Sequence, residues 1–346
     1  MTFARPRVVV TGLGVVSPLG ADLGTTLSAL AERRTAIREL TLFDARGFAQ
    51  TLAAEVPDFD VRPFFRTPKA LKTADRRARF AVAAAAQALV HAGLTEDGRE
   101  ELGVILGTAG GDLRFPDLLH GLRRASTTDP LDLPHFASQI LSGTNPLWLI
   151  LCLPNMVSAH VGIQTGAQGP NNTLMGDEAA GLAAIGEAAL VLESGEARAM
   201  LAGGAESPVH AHSWASLQQQ NPGLPFPVPG EGAGIFLLEL EASARARGAR
   251  ILATLLGAGT AADGDAARAE ERAVRTALDR AGLKDAETTR VPRLSDRIGH
   301  LFAAAGPVAL ALATAGAAPG AHILASAASI SGMSSAIVLG LPGKEP

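Results

Sequence analysis

Short apolar runs rich in β-branched residues alternate along this chain with longer, Ala-rich stretches. Runs of this kind bounded by Gly and Pro predict strands, and the longer apolar stretches predict helices. RVVVTGLGVVSPLG (7–20) reads as a strand ending in a Gly/Pro loop, and Phe80 to Ala92 as a helix buried nearly all round. GVILGT (103–108) is a second strand, and Gly110-Gly111 turn the backbone sharply into a helix expected over Leu113 to Arg124. The strand TLM (173–175), a helix from about Ala179 to Ser194 closed by Gly195, and MLAGGAES (200–207) repeat the strand-helix-strand unit. GAGIFLLELE (232–241) closes a first half. ILATLLGAGTA, a helix over about Ala266 to Ala281, HILASAAS and SSAIVLGL build a second. The expected fold is α/β with duplicated halves, 1–241 carrying insertions and 242–346 shortened.

Composition narrows the function classes. The chain has 346 residues and is 47% hydrophobic, so much of its surface is expected to face protein. No apolar run reaches the roughly 20 residues of a membrane helix; Leu147 to Val157 is interrupted by Pro154 and Asn155. The N-terminal residues lack a signal-type apolar core, and a single cysteine excludes an internal disulfide framework, which together predict a cytoplasmic protein. Thirty basic against 34 acidic side chains give a net charge of -4, and the one basic cluster, Arg76, Arg77 and Arg79, is expected to be a solvated helix face rather than a nucleic-acid site. Cys152 is expected to be a small buried hydrophobe. His210 and His212 have strand-like spacing without a third ligand nearby, so no metal is expected. The glycines at 12–14 and 107–111 lack the spacing and lysine of a phosphate loop, and no cofactor is expected.

Asp177 and Glu178 are adjacent carboxylates where an apolar strand turns into an apolar helix. On the residues alone they could cap that helix and complement its dipole, or Glu178 could do acid-base work at a buried helix terminus near His300. On the residues alone His300, beside LFAAAG, reads as a core histidine before a catalytic one.

The stretch GPNNTLMGDEAAGLAAIGEAALVLESGEARAMLAGGAES resembles the nucleophile region of the β-ketoacyl synthases of the thiolase superfamily, whose pattern is roughly GP, a strand, T-A-C-A-x-G, A-I-G and then A-G-G-A-E. RVVVTGLGVVSPLG, GTAGG, PNMVSAHVGIQTGAQGP, GEGAG (230–234) and IGHLFAAAG (298–306) follow in the family order. The resemblance implies a thiolase-like fold in αβαβα layers and sets the family's chemistry against these residues. With Gly181 and Ala184-Ile185-Gly186 fixed to the pattern, the catalytic cysteine falls on Glu178, which cannot hold an acyl chain as a thioester. The family lysine falls on Ser295, the H-G-T-G-T loop is missing, His300 is retained, and the gating G-F-G-G reads Ser329-Ile330-Ser331-Gly332. Nucleophile, electrostatic support and one of two imidazoles are lost together.

Among relatives the chain resembles the chain-length factors, or ketosynthase-β subunits, of type II polyketide synthases, although these commonly carry glutamine where Glu178 stands. That likeness implies no independent catalysis and a heterodimer with a catalytic ketosynthase, which would also bring the acyl carrier protein. It implies a tunnel-facing row at Asp112, Phe115 and Leu119, with Phe115 and Leu119 as plugs, and Ile330 as the gating-loop residue. It also implies pairing through the strand Asn172 to Gly176, flanked by LWLILCLPNMV. It implies no cofactor, metal, nucleic acid or membrane. Aromatic and polyene products stay equally open. Two rival readings are a malonyl-carrier-protein decarboxylase acting in initiation, against which the missing histidine loop argues, and an enzyme of other chemistry using Glu178 as a base.

Overall fold

The computed structural model describes residues 6–57, 60–110, 119, 122–123, 133–143, 147–224 and 226–343. In chain order the described elements are β1 Val8–Val16, α1 Leu23–Ala31, β2 Ile37–Glu39, β3 Leu52–Ala54, α2 Arg76–Ala92, β4 Leu102–Thr108, α3 Leu133–Gly143, α4 Trp148–Cys152, α5 Met156–Thr165, β5 Asn171–Met175 and α6 Asp177–Ser194. They continue with β6 Ala199–Glu206, α7 Ala211–Gln220, β7 Gly232–Leu240, α8 Glu241–Ala246, β8 Ala253–Ala262, α9 Ala266–Ala281, β9 Thr289–Arg290, α10 Ser295–Ile298, α11 Ala305–Gly316, β10 His322–Ala328 and β11 Met333–Gly340.

Nine strands form one mixed sheet in the order β5-β4-β6-β7-β1-β8-β11-β10-β9. Its two parts touch only where β1 pairs antiparallel with β8, at Val9 with Thr254 and Val10 with Ala253. Outward from that seam each part runs through its first strand, its last, its penultimate and then an earlier one; the second part is one strand shorter and ends in the two-residue β9. This repeated series supports, as our proposal, a division near residue 241. β5 stands at the sheet edge, parallel to β4, and its other side pairs with no strand among the described residues.

Burial explains the layers. α6 buries ten residues distributed around its circumference and lies between the two parts, against β4 and β6 on one side and β10 and β11 on the other; a helix apolar all round belongs in the middle. α11 shares that layer, packing on both β7 and β10. α9 instead buries one stripe, Ala269, Ala273, Val274, Ala277 and Leu278, against β8 and β11, with the opposite side exposed. α2 covers β1 and β7 on the opposite outer face. A side chain at Gly14 in β1 would collide with the Ala84 carbonyl of α2, so the glycine sets how closely helix and strand approach. The result is the expected αβαβα order. None of the described helices is long and apolar enough to cross a membrane.

Several local expectations are corrected. α6 begins at Asp177, and its N-cap is Gly176 with no side-chain cap, so neither carboxylate caps it. His210 and His212 are not in a strand: His210 is the N-cap of α7 and His212 lies in its first turn. Cys152 is half-buried, not buried. The arginines at 76, 77 and 79 do not form a solvated face; Arg77 is 2% exposed, and all three donate hydrogen bonds to protein acceptors. Burying a guanidinium requires paired acceptors, and those acceptors define one wall of the site.

Candidate functional site

Glu178 is delivered by a tight elbow. β5 ends at Met175, Gly176 follows, and Asp177 takes a left-handed backbone (φ 44°) as α6 begins. His300 comes from the loop between α10 and α11. Its amide donates to the Val228 carbonyl at 2.8 Å and its carbonyl accepts from Gly230 at 2.9 Å, which anchors the loop before α11 to the PGEGAG segment. The two side chains meet at 2.7 Å, His300 Nε2 to Glu178 Oε1. Glu178 Oε2 is buried with no hydrogen-bond partner among the described residues. Among the described residues, three non-glycines have left-handed backbones. Two of them, Asp177 and Phe302 (φ 46°), flank this pair, and the Phe302 ring stands edge-on to His300 at 4.4 Å. Strained backbone collected around one side-chain pair is characteristic of a site under functional constraint.

Glu178 borders two cavities. The first, about 270 Å³, is lined by Arg77, Asp177, Glu206, His210, Phe302 and Ile330, among others. The second, about 320 Å³, is lined by Arg293, Ser295, His300, Ala305, Ala309 and Ala327, among others. Of the residues expected in the site, Glu178, His300 and Ser295 therefore share the second cavity, and Glu178 and Ile330 share the first. Ser295 opens α10 at the surface. Leu119 is helical and half-buried. Asp112 and Phe115 lie outside the described residues. Among the described residues no group of three or more His, Cys, Asp or Glu side chains is placed to hold a metal ion.

The wall of the first cavity opposite Glu178 is a buried ionic network. Arg77 donates to Asp75 at 2.7 Å and to Thr108 at 2.9 Å, and the Thr108 hydroxyl lies 3.0 Å from Glu206. Burial pushes the Glu206 carboxyl above the usual carboxylate range, against the opposing pull of the Arg77 charge and of the Ala109, Thr108 and Ser207 donors. Beside it Arg76 grips Glu231 through Nε and Nη2, while the Val56 amide and the Ser207 hydroxyl donate to the same carboxylate. His210 is held neutral, its imidazole lowered to about 4 by burial first and then by His212 and Arg77. The neutral ring accepts from the Ser213 amide through Nδ1, which leaves Nε2–H facing the Ser213 hydroxyl. Sequence reasoning missed this network. The available signal was an acid at the end of an apolar strand, Glu206, and another just before an apolar strand, Glu231, with arginines at the start of an Ala-rich helix.

Comparison with known proteins places this geometry. The family described as "Beta-ketoacyl synthase, N-terminal domain" matches residues 5–244, and the chain belongs to the β-ketoacyl synthase family. It is 36% identical over 213 residues to 3-oxoacyl-[acyl-carrier-protein] synthase 2 of Synechocystis sp., a match covering 61% of this chain and 48% of that protein. The chain thus matches about half the length of that relative. A solved structure titled "The ishigamide ketosynthase/chain length factor" superposes with a TM-score of 0.84 at 26% identity, covering 98% of this chain and 100% of that one. A type II polyketide synthase ketosynthase in complex with its acyl-carrier protein shares the fold, with a TM-score of 0.75 at 20% identity over 98% of this chain and 100% of that chain.

Proposed function

We propose that this chain is a ketosynthase-like subunit that performs no condensation itself, pairs with a cysteine-bearing ketosynthase and shapes the tunnel that sets product length in type II polyketide synthesis. The observation that carries this reading is the 2.7 Å bond between Glu178 and His300. A condensing site needs a thiolate to hold the acyl chain and an imidazole free to stabilise the developing oxyanion or enolate. Here a carboxylate stands at the nucleophile position and occupies the imidazole nitrogen that would face substrate. No lysine supports either group, because its position is Ser295. The likeness to a ketosynthase/chain length factor along nearly the whole chain supports the same reading.

The partner face follows from the sheet edge. β5 offers a side unpaired among the described residues, and Met175 in it and Ile163 in the adjoining α5 are 57 and 60% exposed. An interface built there would be on the order of 2,000 to 5,000 Å², as obligate pairs are, and the acyl carrier protein would dock through the ketosynthase. Asp112, Phe115 and Leu119 are the proposed tunnel-facing row.

Co-expression with a cysteine-bearing type II ketosynthase tests the reading. A heterodimer by native mass measurement, polyketide formed only by the pair, and no condensation by Glu178→Cys alone are expected. A stable homodimer indifferent to that ketosynthase, or steady carbon–carbon bond formation by Glu178→Cys without a partner, overturns it. Release of CO₂ from malonyl carrier protein by the chain alone would put the decarboxylase in its place.

A further inference from the structure

Asp177 stands where the family pattern has the alanine before the nucleophile, and its carboxylate is committed. Asp177 Oδ2 accepts from the Ser329 hydroxyl at 2.8 Å. Ser329 is fully buried, and its oxygen is also 2.8 Å from the Ser331 hydroxyl and accepts the Ser331 amide at 3.1 Å. A serine hydroxyl has one hydrogen and two lone pairs. With the hydrogen directed to Asp177, both lone pairs are free for Ser331, so the aspartate fixes the orientation of the whole turn.

That turn is tied at both ends. The Ser329 amide bonds to the Met333 carbonyl at 2.8 Å and the Gly332 amide to the Ser329 carbonyl at 3.0 Å. Gly332 has φ 85°, and a side chain there would strike the Asp263 carbonyl; the Asp263 amide in turn donates to the Gly332 carbonyl at 3.0 Å. On the elbow side, a side chain at Gly176 would strike the Met333 side chain, so elbow and turn are in direct contact. Between the fixed points, Ile330 projects at the rim of the first cavity, 81% exposed and among the residues that line it with Asp177 and Glu178.

We propose that Asp177 and Ser329 are a specificity-determining pair: their hydrogen bond locks the 329–332 turn onto the elbow, so that Ile330 is a fixed wall of the first cavity instead of a movable one. The lock is a property of this chain alone; its consequence for product size rests on the subunit reading above. A hydrogen bond to a charged acceptor at a buried hydroxyl is among the stronger kind, and the two residues, 152 apart in sequence, are joined by nothing local.

Hydrogen exchange on the purified full chain tests the lock without any ketosynthase. Asp177→Ala and Ser329→Ala are each expected to speed exchange of the Ser331 and Gly332 amides about tenfold or more, with β4 and α6 amides unchanged. The double variant should do no more than either single, and Asp177→Asn and Ser329→Thr, which keep an acceptor and a hydroxyl, should retain protection. Unchanged exchange in Asp177→Ala or in Ser329→Ala overturns the lock. In the complex with its ketosynthase, Asp177→Ala should shift the distribution of product lengths while Asp177→Asn leaves it in place. Raised exchange with unchanged lengths would overturn the specificity role, and failure of the chain to pair with any ketosynthase would leave the exchange result to decide the lock.

Discussion

The two parts of the sheet differ in what they bury: among the described residues, the buried charged side chains all lie in the first. In the first, Glu231, Glu206, Asp75 and Arg77 are inside, bridging α2 to β4, β6 and the segment before β7. In the second, Arg290 with Asp285 and Arg268 with Asp265 pair at the surface, and the interior is the apolar stripe of α9 against β8 and β11. The family match, 5–244, covers the first part, and the superposition on a solved ketosynthase/chain length factor runs through both. The difference in buried charge sets how tightly each part constrains its residues. A buried ion network fixes residue identity, because a carboxylate facing a guanidinium in the interior admits few substitutes. An apolar layer fixes only volume and pattern.

The largest effects should fall on opposite chemistries in the two parts. Glu231→Ala leaves Arg76, the Val56 amide and the Ser207 hydroxyl without their shared acceptor and is expected to cost about 3–5 kcal/mol. In the second part the comparable loss comes from Leu278→Ala, 7% exposed, at about 2–5 kcal/mol. Asp285→Ala, which breaks a surface pair, should leave stability unchanged within error. Urea unfolding of the three purified variants checks this, and an Asp285→Ala loss equal to that of Glu231→Ala would break the comparison.

A second effect is confined to the first part and reads out with pH. His210 has a folded pKa lowered to about 4 from an ordinary 6.5, so the unfolded chain binds the proton first. Its contribution to stability is complete above pH 6.5 and is lost as pH falls toward 4, by at most about 3 kcal/mol. His210→Asn, which retains a cap acceptor for the Ser213 amide, should flatten stability across that window. Parallel pH curves for the two proteins would show that this imidazole is not held neutral by burial.

Much of the frame was legible from residue order. α9 was expected over Ala266 to Ala281 and occupies that span, since Asp265 caps its start and Gly282 its end. The meeting of Glu178 with His300, 122 residues away, followed from matching two motifs to one family pattern. What escaped was long-range pairing of polar groups. A basic triplet looks solvated when its acceptors sit 31 and 155 residues downstream, at Thr108 and Glu231. The start of α6 was placed two residues late because a left-handed Asp177 opening a helix without capping it has no pattern of its own. The bond from Asp177 to Ser329 was likewise invisible, since serine and aspartate at such separation carry no periodic signal.

The smallest expected effect bears most directly on function. Glu178→Gln keeps an oxygen where His300 Nε2–H donates and removes only the charge, so the stability change should stay under about 1 kcal/mol. If Glu178 is structural filling, the complex with the proposed ketosynthase partner should make the same products at the same rate, because the amide fills the same space and accepts the same bond from His300. If Glu178 is instead a base acting with His300, the neutral amide cannot take a proton, and turnover should fall by about a hundredfold or more, the range assigned to general acid–base catalysis. Measuring product formation by the Glu178→Gln complex across pH separates the two. A rate matching wild type at every pH keeps the chemistry in the partner. A large loss that follows a single ionisation would place a working carboxylate at the head of α6.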